Sequence, residues 1–117
     1  MPRVTRYKFN GHYYGRGRLV RTVIDSYVSI NPDCTYADLE EHFPPGLQGG
    51  SMGVFLPVEE AQLLAESTGR TIHHFLKEKD LISLCDSTIA VVTHWGISNT
   101  NKFIEHAMRL GYLITEE

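Results

Sequence analysis

This 117-residue chain has few cysteines and no long run of apolar residues. The two cysteines, Cys34 and Cys85, stand in no CxxC arrangement, which predicts free thiols in a reducing compartment. No apolar stretch approaches the roughly 18 residues that a membrane-spanning helix needs. No apolar stretch follows the first six residues either, as it would in a secretory signal. These shortages predict a cytoplasmic protein with no membrane partner.

Acidic residues are absent from the first 24 positions, which hold six of the eleven basic residues. The rest of the chain carries five basic and fourteen acidic residues, a formal net charge of −9. This split predicts a basic face for an anionic partner. The alternative is that the two oppositely charged parts pair with each other within the fold.

Hydrophobic residues make up 42% of the chain and charged residues 21%, which is ordinary for a globular domain. The length predicts a single domain over residues 1–117. Within it we distinguish a basic hairpin arm, 1–17, from a body, 18–117. The arm follows from Asn10-Gly11, a type I′ turn signal between aromatic strand residues.

Helix signals follow the arm. Apolar residues at helical spacing predict a helix over 18–30, which should stop at Asn31 because Pro32 disfavours helical geometry in the residue before it. Thr35 and Asp38 predict the start of a second helix, and a third is predicted over 58–67. After a loop at 97–100, a last helix ends at Gly111.

Short strands are predicted at 54–56, 71–76, 81–84, 88–95 and 112–114. Together the elements predict an α+β fold: a small winged-helix-like domain with an N-terminal β-hairpin, about four helices and a small antiparallel sheet. Helix spacing and strand composition predict a core formed by Leu19, Val23, Ile24, Tyr27, Leu39, Phe43, Val91, Phe103, Ile104 and Leu110.

Several short segments occur together along nearly the whole chain: YKFNG at 7–11, YGRGRLV at 14–20, LQG at 47–49, HWG at 94–96 and KFIEHA at 102–107. In these the chain resembles modules of bacterial restriction-system and defence-associated proteins. Such modules usually accompany a nuclease or ATPase domain and have no established catalytic residues. The resemblance implies a nucleic-acid or defence context, with an accessory subunit, a regulator or a phage-borne inhibitor as the expected roles.

The six histidines do not form the close ligand pairs that zinc sites usually show. The set that we weighed was His74, Cys85, Asp86 and His94. A nucleophilic pair of Cys85 with His74 or His94 lacks an orienting acid in the sequence pattern. We therefore predict no metal, no cofactor, no catalytic residue and no enzymatic activity.

The basic and aromatic residues interleaved near the N-terminus favour a nucleic-acid-binding module, with DNA a better candidate than RNA. Arg16, Arg18 and Arg21 are predicted to contact phosphates, with Arg6 and Lys8 on the hairpin assisting. Tyrosine and phenylalanine rings beside them could stack on unpaired bases or pack in the core. Strand alternation predicts that Tyr7 and Phe9 share one face.

The alternative function is an inhibitor or adaptor of phage or prophage type that binds a defence protein. Its contacts would be four glutamates that dock on a basic surface, Glu40, Glu41, Glu59 and Glu60. Asn99 and Trp95 are added as partner-binding residues, Trp95 being either a recognition anchor or a core residue. A second copy of the chain is a further candidate partner.

Overall fold

The computed structural model describes residues 6–48, 53–67, 74–93 and 95–116. The strands are β1 (Tyr7–Phe9), β2 (His12–Tyr14), β3 (Phe55–Pro57), β4 (Ile82–Ser83), β5 (Thr88–Val91) and β6 (Thr115–Glu116). The helices are α1 (Arg16–Ile30), α2 (Tyr36–His42), α3 (Val58–Ser67) and α4 (Ile97–Arg109), with short 3₁₀ turns at Pro45–Leu47 and Glu78–Asp80. Among these described helices, none has the length and apolar character to cross a membrane.

The strands form two antiparallel sheets of three strands, ordered β2-β1-β6 and β3-β5-β4. The α+β class, the N-terminal hairpin and the four helices are confirmed. The predicted N-terminal hairpin and small antiparallel sheet correspond to these two sheets, and β6 adds a third strand to the hairpin by pairing with β1.

The hairpin forms as its turn residues dictate. Asn10 and Gly11 both have positive φ, 52° and 81°, as a type I′ turn requires. Tyr7 and Phe9 point into the core and Lys8 points out, so the predicted alternation is confirmed. Two aromatic side chains thus pack the hairpin against the body.

Helix boundaries follow local signals where those exist. Asn31 caps α1 through its backbone N–H, bonded to the carbonyls of Tyr27 and Val28. Thr35 and Asp38 form a reciprocal capping box at the start of α2: the Thr35 hydroxyl accepts from the Asp38 N–H at 3.1 Å, and the Asp38 carboxylate accepts from the Thr35 N–H at 3.2 Å. The predicted third helix has the observed bounds of α3.

Several predicted boundaries differ from the structure. The predicted loop at 97–100 is the first turn of α4, where the Thr100 hydroxyl donates to the Gly96 carbonyl at 2.6 Å. The closing strand predicted at 112–114 lies just after those residues, as β6 at Thr115–Glu116. The strands expected at 81–84 and 88–95 are shorter, and residue 94 lies outside the described residues. Of the strand expected at 71–76, residues 71–73 also lie outside them, and His74 forms an isolated bridge with Val92.

In the core, α1 packs against α4 and against the first sheet. Phe43 stacks on Phe103 with ring centroids 5.7 Å apart. Most predicted core residues are fully buried, whereas Tyr27 and Ile104 are half-buried and pack on its edge. Leu110 was wrongly predicted: it is 37% exposed, because α4 ends at the residue before it.

Candidate functional site

Arg18 of α1 is held by a carboxylate that is 62 positions away in the sequence. Its two terminal nitrogens donate to the two oxygens of Asp80, at 2.5 and 3.0 Å. The guanidinium also lies over the Phe75 ring, 4.5 Å from its centroid. Asp80 is only 4% exposed, whereas the Arg18 side chain is 45% exposed. The pair therefore anchors α1 to the 3₁₀ turn at Glu78–Asp80.

Arg21 reinforces the same anchor. Its Nε donates to the Asp80 backbone carbonyl at 3.0 Å, and a terminal nitrogen pairs with Asp25 at 3.3 Å. These cations, with the Arg18 hydrogen bonds as the largest cause, hold the pKa of Asp80 below its usual value although burial opposes this. Arg18 and Arg21 therefore pair with acidic residues from the rest of the chain. This is the alternative explanation of the uneven charge distribution, in which the oppositely charged parts pair within the fold.

Arg16 lies at the start of α1 and is half-buried. It donates to the Trp95 backbone carbonyl at 3.2 Å. Its charge lies near Tyr7, where it partly offsets the rise in the Tyr7 pKa caused by burial and by Glu116. Arg16 thus sits between the hairpin and α4 with part of its side chain in solvent.

The remaining predicted cations, Arg6 and Lys8, are exposed on the hairpin. Lys8 lies in register between Tyr13 of β2 and Thr115 of β6, so these three side chains share the outward face of the first sheet. The Lys8 Nζ is 5.7 Å from the centroid of the Tyr13 ring, which is 48% exposed. We call Arg6, Lys8 and Tyr13 the hairpin face.

The four predicted glutamates are all exposed, on α2 and α3. Glu40 of α2 and Glu60 of α3 both lie close enough to Tyr36 to raise the pKa of its hydroxyl, after burial as the main cause. Glu41 instead acts on Tyr27. Glu40 and Glu60, from different helices, thus both lie near Tyr36.

Beside Glu60 lies an open groove of about 510 Å³ between β3 and α3. Its walls are Leu56, Glu60, Leu63, Leu64 and Ser67. Leu63 is 64% exposed. Sequence reasoning missed this groove, although two adjacent leucines on a short helix are a signal: neighbouring side chains point in different directions, so one of them faces away from the core.

Trp95 is a core residue. It is 6% exposed, its indole N–H donates to the Val92 carbonyl at 3.0 Å, and its ring meets Phe103 edge to face. This leaves too little surface for a recognition anchor. The Asn99 side-chain amide donates to the Gln48 backbone carbonyl, which ties α4 to the turn at Pro45–Leu47.

The two cysteines are free, Cys34 buried and Cys85 exposed. The Cys85 backbone N–H donates to the Cys34 carbonyl at 3.1 Å. Burial raises the pKa of the Cys34 thiol, which disfavours a nucleophilic thiolate there. Within the described ranges no three metal-ligating side chains cluster; His73 and His94 lie outside them. The expected lack of metal and catalysis stays a prediction.

Comparisons of the chain with protein-family models, with curated proteins and with solved structures gave no match in any of the three. The resemblance to modules of restriction and defence systems therefore stays a prediction.

Proposed function

We propose that the protein is a non-enzymatic module that binds single-stranded nucleic acid on its hairpin face, Arg6, Lys8 and Tyr13. The observation that carries this proposal is the pair of Lys8 and Tyr13, in register and exposed on a solvent-facing sheet. A lysine can neutralise a phosphate, and an exposed tyrosine ring can stack on an unpaired base.

The arrangement favours unpaired over duplex nucleic acid. The bases of a duplex are stacked on each other, so a tyrosine on a flat sheet face cannot reach their ring faces. In a single strand those faces are free. Nothing in the hairpin face distinguishes deoxyribose from ribose, so both sugars belong in the test. The proposal includes a winged-helix likeness, supported by the order of the elements, and a cytoplasmic location, supported by the two unpaired cysteines. It also includes a role in or against a bacterial defence system, supported by the sequence resemblance.

The phosphate contacts predicted from the sequence for the arginines of α1 are reassigned to the hairpin face. Arg18 and Arg21 already donate to Asp80 and Asp25, and contact with a phosphate would have to compete with those bonds. Arg16 keeps part of its side chain in solvent near the hairpin and can add to the positive field there. We therefore assign the main contacts to Arg6, Lys8 and Tyr13.

The test is fluorescence anisotropy with labelled single-stranded DNA, single-stranded RNA and duplex DNA at low ionic strength. Lys8→Glu should weaken single-strand binding about tenfold or more, since it replaces an attraction by a repulsion. Tyr13→Ala should weaken it about fivefold or more through lost stacking. The matched control is Lys102→Glu, the same charge change at an exposed position of α4.

Each variant is first checked by thermal unfolding, which these exposed substitutions should leave nearly unchanged. The proposal fails if no nucleic acid binds in a salt-dependent way. It also fails if Lys102→Glu weakens binding as much as Lys8→Glu, because the contact would then depend only on net charge.

A further inference from the structure

We propose that the groove between β3 and α3 binds a basic, amphipathic helix of a partner protein. The proposal goes beyond nucleic-acid binding and does not depend on it, because the groove belongs to the second sheet and the hairpin face to the first.

The apolar part of the groove gives the partner something to bury. Leu56 of β3 and Leu63 and Leu64 of α3 line it, and Leu63 is mostly exposed. The groove is open to solvent, with a volume of about 510 Å³, so apolar side chains of an incoming helix can lie against these leucines. An exposed leucine in an open apolar groove offers such a helix a contact for its apolar face.

The charge around the groove specifies the sign of the partner. Helix α3 carries Glu59, Glu60 and Glu66 and neither lysine nor arginine. Glu40 of α2 adds a fourth carboxylate near Tyr36, on whose hydroxyl pKa the groove residue Glu60 also acts. A rim with this charge attracts lysine and arginine side chains and repels nucleic acid.

The backbone beside the groove favours a helix over an added strand. Strand β3 is the edge of its sheet among the described strands, but it is only three residues long. Its last residue, Pro57, has no N–H to donate to a neighbouring strand. A helix needs no backbone partner and can place apolar residues at i, i+3 and i+4 into the groove.

The probe is a labelled synthetic peptide of leucine and lysine, about 14 residues long, arranged to form an amphipathic helix. A scrambled peptide of the same composition has the same charge without the apolar face. The full chain should bind the helical peptide about tenfold or more tightly than the scrambled one. Peptide helicity, read by circular dichroism, should rise on binding.

Two variants locate the site. Leu63→Ala should weaken binding of the helical peptide about fivefold or more, through loss of the anchor. Glu60→Lys should weaken it similarly and slow association. The matched controls are Leu113→Ala and Glu105→Lys, an exposed leucine and an exposed glutamate elsewhere, and both should change affinity less than twofold.

Equal affinity for the two peptides would overturn the proposal, because net charge alone would then explain binding. An unchanged affinity of the Leu63→Ala protein would overturn it too, as would no binding of either peptide at low salt. None of these outcomes affects the hairpin face, whose test uses nucleic acid and different variants.

Discussion

The basic side chains of α1 and those of the hairpin come from one acid-free stretch of sequence, yet the fold uses them differently. Arg18 and Arg21 bind the turn that contains Asp80, whereas Lys8 lies beside Tyr13 on an exposed face of the first sheet. A cluster of basic residues in the sequence therefore does not by itself indicate a binding surface, because some of these residues pair with acidic groups elsewhere in the fold.

The chemistry of the two side chains explains the division. The planar guanidinium of Arg18 presents two parallel donors, which match the two oxygens of Asp80, and its flat face lies on Phe75. The ammonium of Lys8 is a compact and strongly hydrated charge, for which a solvent-exposed sheet face is a favourable place. The arginines of α1 hold the fold together, and the hairpin lysine remains available.

The largest expected difference between the two regions is in stability. Asp80→Ala removes the acceptor of Arg18 and should lower the free energy of unfolding by about 1–3 kcal/mol. This is less than the loss expected for a fully buried ion pair, because the Arg18 side chain is partly exposed. Lys8→Ala should change it by less than about 0.5 kcal/mol. Urea unfolding at neutral pH measures both. Equal losses in the two variants would show that α1 and the hairpin do not differ in this way.

Features decided by a few neighbouring residues could be predicted from the sequence. The Asn10-Gly11 turn, the capping box of Thr35 and Asp38 and the bounds of α3 all depend on local backbone preferences. The start of α4 was missed because Gly96 offers no side-chain cap and the first turn holds no acidic residue. Helix starts without such signals resemble loops in sequence.

Features decided by distant residues could not be predicted. The bond from Arg18 to Asp80 joins parts of the chain that only the finished fold brings together. The same holds for Glu40 and Glu60, which both lie near Tyr36 although they belong to different helices. The sequence thus indicated which types of residue form the candidate site. Only the structure shows which of them are exposed and which are paired within the fold.

Acid should reduce the stability that the ion pair of Arg18 and Asp80 provides. The folded state lowers the pKa of Asp80 from its usual 3.8, so the carboxylate stabilises the fold above that pH. This contribution is lost as the pH falls below 3.8 and through the lower pKa of the folded state. Urea unfolding between neutral pH and pH 3 should show a shallower acid decline in Asp80→Asn than in the unchanged protein. Glu105→Gln, at an exposed position of α4, is the control and should keep the full decline.

The hairpin has its own stability requirement at Gly11. Its φ of 81° is unfavourable for a residue with a Cβ, although the space around it is open. Gly11→Ala should therefore cost about 1 kcal/mol through backbone conformation alone. Gly46→Ala, which also meets open space, is the control and should cost less. Thermal unfolding measures both, and equal effects would mean that the positive φ at Gly11 does not constrain the turn.

The smallest expected effect is the sharpest test of the comparison, because it counts phosphate contacts one at a time. Each cation that neutralises a phosphate of a single strand contributes about 0.7 to the slope of log affinity against log salt concentration. Arg6→Ala and Lys8→Ala should each lower the magnitude of that slope by about this amount. Arg18→Ala and Arg21→Ala should leave it unchanged, because in the unchanged protein these guanidinium groups are bound to Asp80 and Asp25 and contact no phosphate.

The slopes are compared well below the unfolding temperature of each variant, so that the stability lost with the Arg18–Asp80 pair does not affect them. If Arg18→Ala lowers the slope as Lys8→Ala does, the Arg18–Asp80 pair opens when nucleic acid binds, and the arginines of α1 belong to the interface after all.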